Sequence, residues 1–395
     1  MDHMEYDTDS STQAITVDGQ VPAGNIVFDG IDGDTVLIRQ DMRDSADWFY
    51  WAFRVCGAEG RTLHFKFTNP YAPVSARGPA VTRDGGRTWS FAAEASSTEN
   101  SFSYTFGPDE REVWFYQTFQ YLPPQWEEFL ARHEADRGRL FEAGELCVSR
   151  KGRPVPKARF GCIHDNPKYR IFLSSRHHAG EAPATNVLEG FVEQVFAHGP
   201  LGDWLRANVE IMTVPFVDFD GVVDGDQGKG RRPHDHNRDY NDFIYPETRA
   251  ITEWVGSHAG NDLAIFLDLH SPWVRNEYNE HVYITYGADE KVNAAKRRWG
   301  ELLEKAQTGS LAYRVADNFP WNFGWNAPSN VATGQRAAGS WAMSALKAPL
   351  LVSSYEIPFA NANGKTATPQ ACREFGAASA HVLRAFLAEN PPSLK

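Results

Sequence analysis

The chain has 395 residues, 42% of them hydrophobic and 23% charged, a length and balance that exclude a disordered polymer and call for more than one ordinary domain. A formal net charge of −12 argues against nucleic acid and against anionic membrane surfaces as main partners. Cys56, Cys147, Cys162 and Cys372 are far apart and form no C-x-x-C pair, which points to reduced thiols in a cytoplasmic setting.

Taken in order, residues 1–13 (MDHMEYDTDSSTQ) lack the basic-then-apolar pattern of a signal peptide, and no later run is long enough to span a membrane. From about residue 24 to 121 the pattern is strand-like. Leu63, Phe65 and Phe67 alternate with Thr62, His64 and Lys66, and Phe102, Tyr104 and Phe106 alternate with small polar residues. WFYWAFRV (48–55) and REVWFYQTF (111–119) are further aromatic runs, with a turn signal at Asp84-Gly85-Gly86 between them. Such spacing predicts an antiparallel β-sandwich over 1–121, without site chemistry of its own.

The texture changes at Tyr121-Leu122-Pro123-Pro124. The stretch from Gln125 to Ala143 has helical spacing, with Trp126, Phe129, Leu130 and His133 on one side. Strands are predicted at 169–175, 209–217, 263–270, 281–287 and 349–357, and a helix follows the first of them over 184–196. Near-continuous apolar strands between helices indicate an α/β domain over 122–395, its sheet covered on both faces.

The chemistry-bearing residues fall at strand ends of this second region, where α/β domains bind ligands. His178 and Glu181 are separated by two residues just after YRIFLSS, so both can converge on one ion across a tight turn. The strand LAIFLDLH delivers His270 to a similar end, with Asp268 on the same side of the strand. Alone, each is weak: H-x-x-E is a common chance pattern, and a histidine closing a strand is usually packed. Together they make a His-Glu-His set, which leaves a position open on a catalytic zinc ion.

Five motifs in order carry a resemblance. RHHAGEAPATNVLEGF resembles the H-x-x-E loop and helix of the funnelin zinc carboxypeptidases, and VPFVDFDGV their strand before an N-P-D-G turn, here Asp218-Phe219-Asp220-Gly221. HDHNRDYN resembles their D-x-N-R segment, LDLHS their third-ligand strand and SYEIPF their catalytic glutamate strand. The whole is most similar to the cytosolic carboxypeptidase branch, which sets a β-sandwich before an α/β/α catalytic domain with a mixed sheet. The resemblance implies one Zn²⁺ per chain on His178, Glu181 and His270, Glu356 as the base toward water, and Asn237 with Arg238 for the terminal carboxylate of a peptide or protein. It implies Asp235 as the carboxylate behind a zinc-binding imidazole. Among Lys229, Arg231 and Arg232, Arg231 is the expected cation beside the oxyanion.

The match departs in two places. The D-F-D-G turn is expected to alter only loop geometry. The segment before Glu356 lacks the tyrosine that closes over substrate in many relatives. The same segment would make the side-chain pocket apolar through Trp341, Met343 and Leu346, or cationic through Lys347 or Arg336. Asn318–Asn326 reads equally as a rim over the site or as a packed loop. The competing functions are a zinc deacylase of N-acyl amino acids and a peptide-binding protein that has lost turnover.

Overall fold

The computed structural model describes residues 14–46, 49–92, 97–259, 263–276 and 278–390. Residues 1–13, read above for a signal peptide, and Trp48, at the head of one aromatic run, lie outside them.

The first region holds β1 (Thr16–Asp18), β2 (Val27–Asp32), β3 (Thr35–Arg39), β4 (Ala52–Cys56), β5 (Thr62–Phe67), β6 (Ala80–Thr82), β7 (Ser90–Phe91), β8 (Ser101–Thr105) and β9 (Glu112–Tyr116). They make a five-stranded sheet, β1-β4-β9-β6-β7, and a four-stranded one, β2-β3-β5-β8. Alternation does what the sequence predicts: in β5, Leu63, Phe65 and Phe67 are buried while Thr62, His64 and Lys66 are exposed. Phe53 and Phe115 from one sheet meet Phe65 and Phe102 from the other in one core, with Phe65 and Phe102 stacked at 4.7 Å. Offset stacking of this kind adds to the area each ring buries. All pairings are antiparallel except β3 with β5, which run parallel.

The second region runs α1 (Pro123–Arg132), β10 (Phe141–Val148), β11 (Pro154–Gly161), β12 (Tyr169–Ser175), α2 (Ala182–Glu193), α3 (Pro200–Asn208), β13 (Val209–Val214), α4 (Phe219–Asp224), α5 (Pro246–Trp254), β14 (Leu263–His270), β15 (Tyr283–Ile284), α6 (Glu290–Ala306), α7 (Ala338–Ala345), β16 (Leu351–Glu356), a β17 (Asn361–Ala362)–β18 (Lys365–Thr366) hairpin and α8 (Pro369–Glu389). Its seven-stranded sheet has the order β10-β11-β13-β12-β14-β16-β15. β13, β12, β14 and β16 are parallel, and the edges are antiparallel. Strand side chains sort by period two: Ile171, Leu173, Ile265 and Leu267 pack with α2 and α8 residues, while Phe172, Met212 and Phe266 pack with Ile251 of α5 and Trp341 of α7. Both faces are therefore covered, as expected.

Two local expectations fail. The helical stretch after Gln125 ends at Arg132, and its tail, from Phe141, opens β10. The strand expected over 281–287 shrinks to Tyr283–Ile284.

Candidate active site and metal centre

Parallel strands deliver their carboxyl ends to one edge. After β12 the chain turns at Arg176, whose φ of +63° is rare for a side-chain-bearing residue. Arg176 is buried, and its guanidinium donates to Ala179 O at 2.6 Å and to Tyr121 O at 3.0 Å. Those bonds hold the turn that presents His178. Glu181 then occupies the N-cap position of α2, where the helix dipole favours a carboxylate. On β14, His270 is in register with Glu356 of β16, and Glu356 with Tyr283 of β15, so the three side chains project from the same face of the sheet.

His178 Nδ1 lies 2.7 Å from Glu181 Oε1, and His270 Nδ1 lies 3.0 Å from Glu181 Oε2. The two imidazoles thus aim equivalent nitrogens at the two oxygens of one buried carboxylate. A second group, His177, Asp268 and His270, has the same compactness. The hydrogen bonds distinguish them. Asp268 accepts from Ser174 Oγ at 2.9 Å, from His177 Nδ1 at 2.8 Å and from His270 Nε2 at 2.7 Å. The remaining nitrogen of His177, Nε2, is 2.7 Å from the Tyr240 hydroxyl. That cluster is saturated, and neither His177 nor Tyr240 lines the cavity into which His178, Glu181 and His270 open. We read it as a buttress: with Nε2–H held by Asp268, His270 keeps Nδ1 free toward the cavity. Asn237 Nδ2, 3.3 Å from the same Nε2, is then a contact between two donors and not a bond.

A dication fits the His178–Glu181–His270 set. Two imidazoles and a carboxylate are a zinc donor set. Behind it, His178 Nε2 and Asp235 Oδ1 are 3.8 Å apart, both buried and both without a hydrogen-bond partner. A small shift of the imidazole would close that pair. Burial opposes charge on Glu181, yet His178 and His270 outweigh it and hold its pKa well below the carboxylate range. Burial likewise opposes a charged His270, but Asp268 and Glu181 raise its pKa well above the usual value. The site thus concentrates negative charge that a cation can neutralise.

Glu356 stands beside this set and lines the same cavity. Burial pushes its pKa up to about 8, with His270 and Lys229 opposing and Glu181 and Asp268 adding to the rise. The cavity measures about 560 Å³ and also takes in Asn237, Arg238 and Lys229. Asn237 is fixed by Ala338 N, which donates to its Oδ1 at 3.0 Å. Arg238 donates to Asn237 O at 2.9 Å.

Arg231 is a correction. Its guanidinium lies 3.0 Å from Asp218, 2.8 Å from Asp226 and 3.3 Å from Asp44, in a separate small cavity. The reason is charge: the D-F-D-G turn puts an acid, Asp218, where the related pattern has a neutral asparagine, and that acid captures the arginine. The altered turn therefore does more than reshape a loop. Of Lys229, Arg231 and Arg232, only Lys229 lines the site cavity.

Pocket expectations are corrected too. Of Trp341, Met343 and Leu346 only Met343 lines the cavity; the other two pack in the core. Neither Arg336 nor Lys347 reaches it, whereas Lys296 does. Lys296, on α6, is buried and donates to Thr285 O at 2.7 Å. Its place on the amphipathic helix α6 gave no sequence signal, since lysines on helices usually face water. Trp321, Trp325 and Asn326 line the cavity, while Asn318 and Phe319 are buried, so the 318–326 stretch is packed at one end and walls the cavity at the other. Trp325 also stacks on Phe319 at 5.3 Å. The cavity's tyrosine is Tyr286, whose hydroxyl accepts from Asn318 Nδ2 at 2.9 Å.

Against this geometry the comparisons can be set. No protein-family model matches the chain. Cytosolic carboxypeptidase 6 of Caenorhabditis elegans is 24% identical over 249 residues, 57% of this chain and 54% of that protein. Cytosolic carboxypeptidase 1 of Mus musculus is 34% identical over 110 residues, 25% of this chain and 9% of that protein. The chain thus spans about half or less of the length of these curated relatives. Among solved structures, a metallo-carboxypeptidase from Burkholderia cenocepacia superposes with a TM-score of 0.76 at 18% identity, covering 95% of this chain and 100% of that one. One from Pseudomonas aeruginosa, in complex with (2-guanidinoethylmercapto)succinic acid, gives 0.74 at 18% identity over 95% and 99%. By sequence the chain is similar to cytosolic carboxypeptidases over part of its length, and its fold is that of the solved metallo-carboxypeptidases.

Proposed function

We propose that the protein is a zinc-dependent metallocarboxypeptidase that removes the terminal residue from a peptide or protein bearing a free C-terminus. The observation that carries this reading is a single cavity in which His178, Glu181, His270, Glu356, Asn237 and Arg238 meet. Zinc on the first three residues would supply Lewis-acid polarisation of the scissile carbonyl and of water. Asn237 and Arg238 bind the free α-carboxylate, the guanidinium pairing with both oxygens at once. That anchor sets the last peptide bond, and no other, at the reacting position. Glu356 takes a proton from water and hands it to the departing amine. Lys229 stabilises the developing oxyanion, a task closed to Arg231 by its three carboxylates.

Lys296 gives the cavity a buried cation, which supports a preference for a terminal residue with an acidic side chain. We also propose that the division near residue 121 separates a sandwich from a catalytic domain. Four free cysteines agree with a cytoplasmic site of action. No helix among the described residues is long and apolar enough to cross a membrane.

Elemental analysis of wild type, His178→Ala and His270→Ala is the first test. The expected result is about one zinc per wild-type chain and none in either variant. Matched peptides with free and amidated C-termini follow, with loss of one residue expected from the free form alone. Hydrolysis of N-acyl amino acids without peptide cleavage would replace the proposal by the deacylase reading.

A further inference from the structure

The segment from Gly225 to Arg232 carries Lys229 into the cavity and leads directly to Asp235, Asn237 and Arg238. It is gripped from two sides. From the sandwich region, Asn25 Nδ2 donates to Gly225 O at 2.9 Å, and Arg43 donates to Asp224 O at 3.0 Å while pairing with Asp226. Ala46 N donates to Gly230 O at 3.1 Å and Arg232 N to Asp44 O at 3.0 Å, a strand-like bridge centred on Ser45 and Arg231. Tyr50 N donates to Gln227 Oε1 at 2.9 Å. From the metal loop, Gly180 N donates to Gln227 O at 3.0 Å.

The fit leaves no slack. Gly225 and Gly228 have φ of +78° and +82°, and a Cβ would lie 2.2 Å from Ala23 O at the first and 2.4 Å from Ala179 N at the second. The segment is therefore threaded between the sandwich and the loop that bears His178. Its far end is tied to the site, since Gly230 N donates to Asp235 Oδ2 at 3.2 Å. Apolar packing alone would join two domains; these bonds go to one segment, and that segment feeds the cavity.

We infer that the N-terminal sandwich is a positioning element of the active site, holding residues 225–232 so that Lys229, Asn237 and Arg238 meet the substrate in register. The inference rests on the carboxypeptidase reading for what is positioned, and on these contacts for how. Its test uses the full chain with Arg43→Ala and, separately, Asn25→Ala, neither of which touches the cavity. KM for a peptide with a free C-terminus is expected to rise about tenfold through Asn237 and Arg238, and kcat to fall as well through Lys229, because a small misplacement weakens carboxylate binding and oxyanion stabilisation alike. Hydrogen exchange is expected to quicken within 225–232 and not in the sandwich core, zinc content to stay at the wild-type level, and Arg43→Lys to recover part of the lost KM. Unchanged exchange in both alanine variants overturns the inference, as does faster exchange with unchanged KM. A wild type that cleaves no peptide counts against the carboxypeptidase reading alone, since exchange is read without turnover.

Discussion

The two regions bury opposite kinds of chemistry. Among described residues up to 121, no Asp, Glu, Lys, Arg or His is buried; the core is Trp51, Phe53, Phe65, Phe102, Phe115 and their aliphatic neighbours. Beyond 121 the strand ends bury Arg176, His177, His178, Glu181, Asp268, His270 and Glu356, with His177, Asp268, His270, Glu181 and His178 linked by contacts of 2.7 to 3.0 Å. Burying charge costs stability unless each group is paired. A molecule that keeps one core free of charge and loads the other has put its expense where chemistry is done, and the two regions should therefore fail differently when cut.

The largest effect is expected at the charged end. Glu356→Gln should lower kcat by roughly 10²–10⁴-fold, the usual range for a general base, while zinc content and denaturation midpoint stay near wild type. Release of the terminal amino acid from a free peptide is the measurement; turnover near the wild-type rate would remove Glu356 from the mechanism. In the apolar core, Phe115→Ala should instead cost about 3–5 kcal/mol of stability and leave kcat/KM of the folded fraction unchanged. Denaturant titration with activity assays on the same samples checks both halves. Between these extremes stands Asp268→Asn, which weakens the hold on His270. Zinc affinity, measured against a competing chelator, should fall about 10–100-fold, and stability should fall with it, because His177 and His270 lose their buried charged partner. No change in affinity would mean that the Ser174–Asp268–His177–Tyr240 cluster is only packing.

The same contrast explains what could be read from sequence. Period-two alternation reveals β5 and β8, each with one buried face, and near-continuous apolar runs reveal β12 and β14, which are buried on both. His178, Glu181, His270 and Glu356 were legible because each closes or follows an apolar strand, and the strand ends converge in this fold. The edge strand β10 and its neighbour β11 leave no clear pattern, since FEAGELCV alternates poorly and one side of β10 is open. Partners across the chain left no local trace. Nothing near Arg231 announces that Asp44 and Asp218 will claim it, and nothing in α6 announces that Lys296 turns inward.

Lys296 gives the smallest and most discriminating effect. Burial alone lowers its pKa to about 8 from the usual 10.5. Because the folded-state value lies below the unfolded one, the buried ammonium opposes folding below about pH 8, and that penalty fades as pH rises from 8 toward 10.5. Binding has the opposite sense: only the ammonium form attracts an acidic side chain, so that attraction is present below about pH 8 and lost above it. For a peptide ending in glutamate, kcat/KM should fall above that point to the level set by the uncharged lysine, since this ratio reports the free enzyme's ionisation. A peptide ending in leucine should lack that limb, and any fall they share belongs to other groups. Lys296→Met should abolish the difference between the two profiles without touching zinc content. Parallel profiles in the wild type would place the side-chain preference elsewhere in the cavity, at Met343, Trp321 and Trp325.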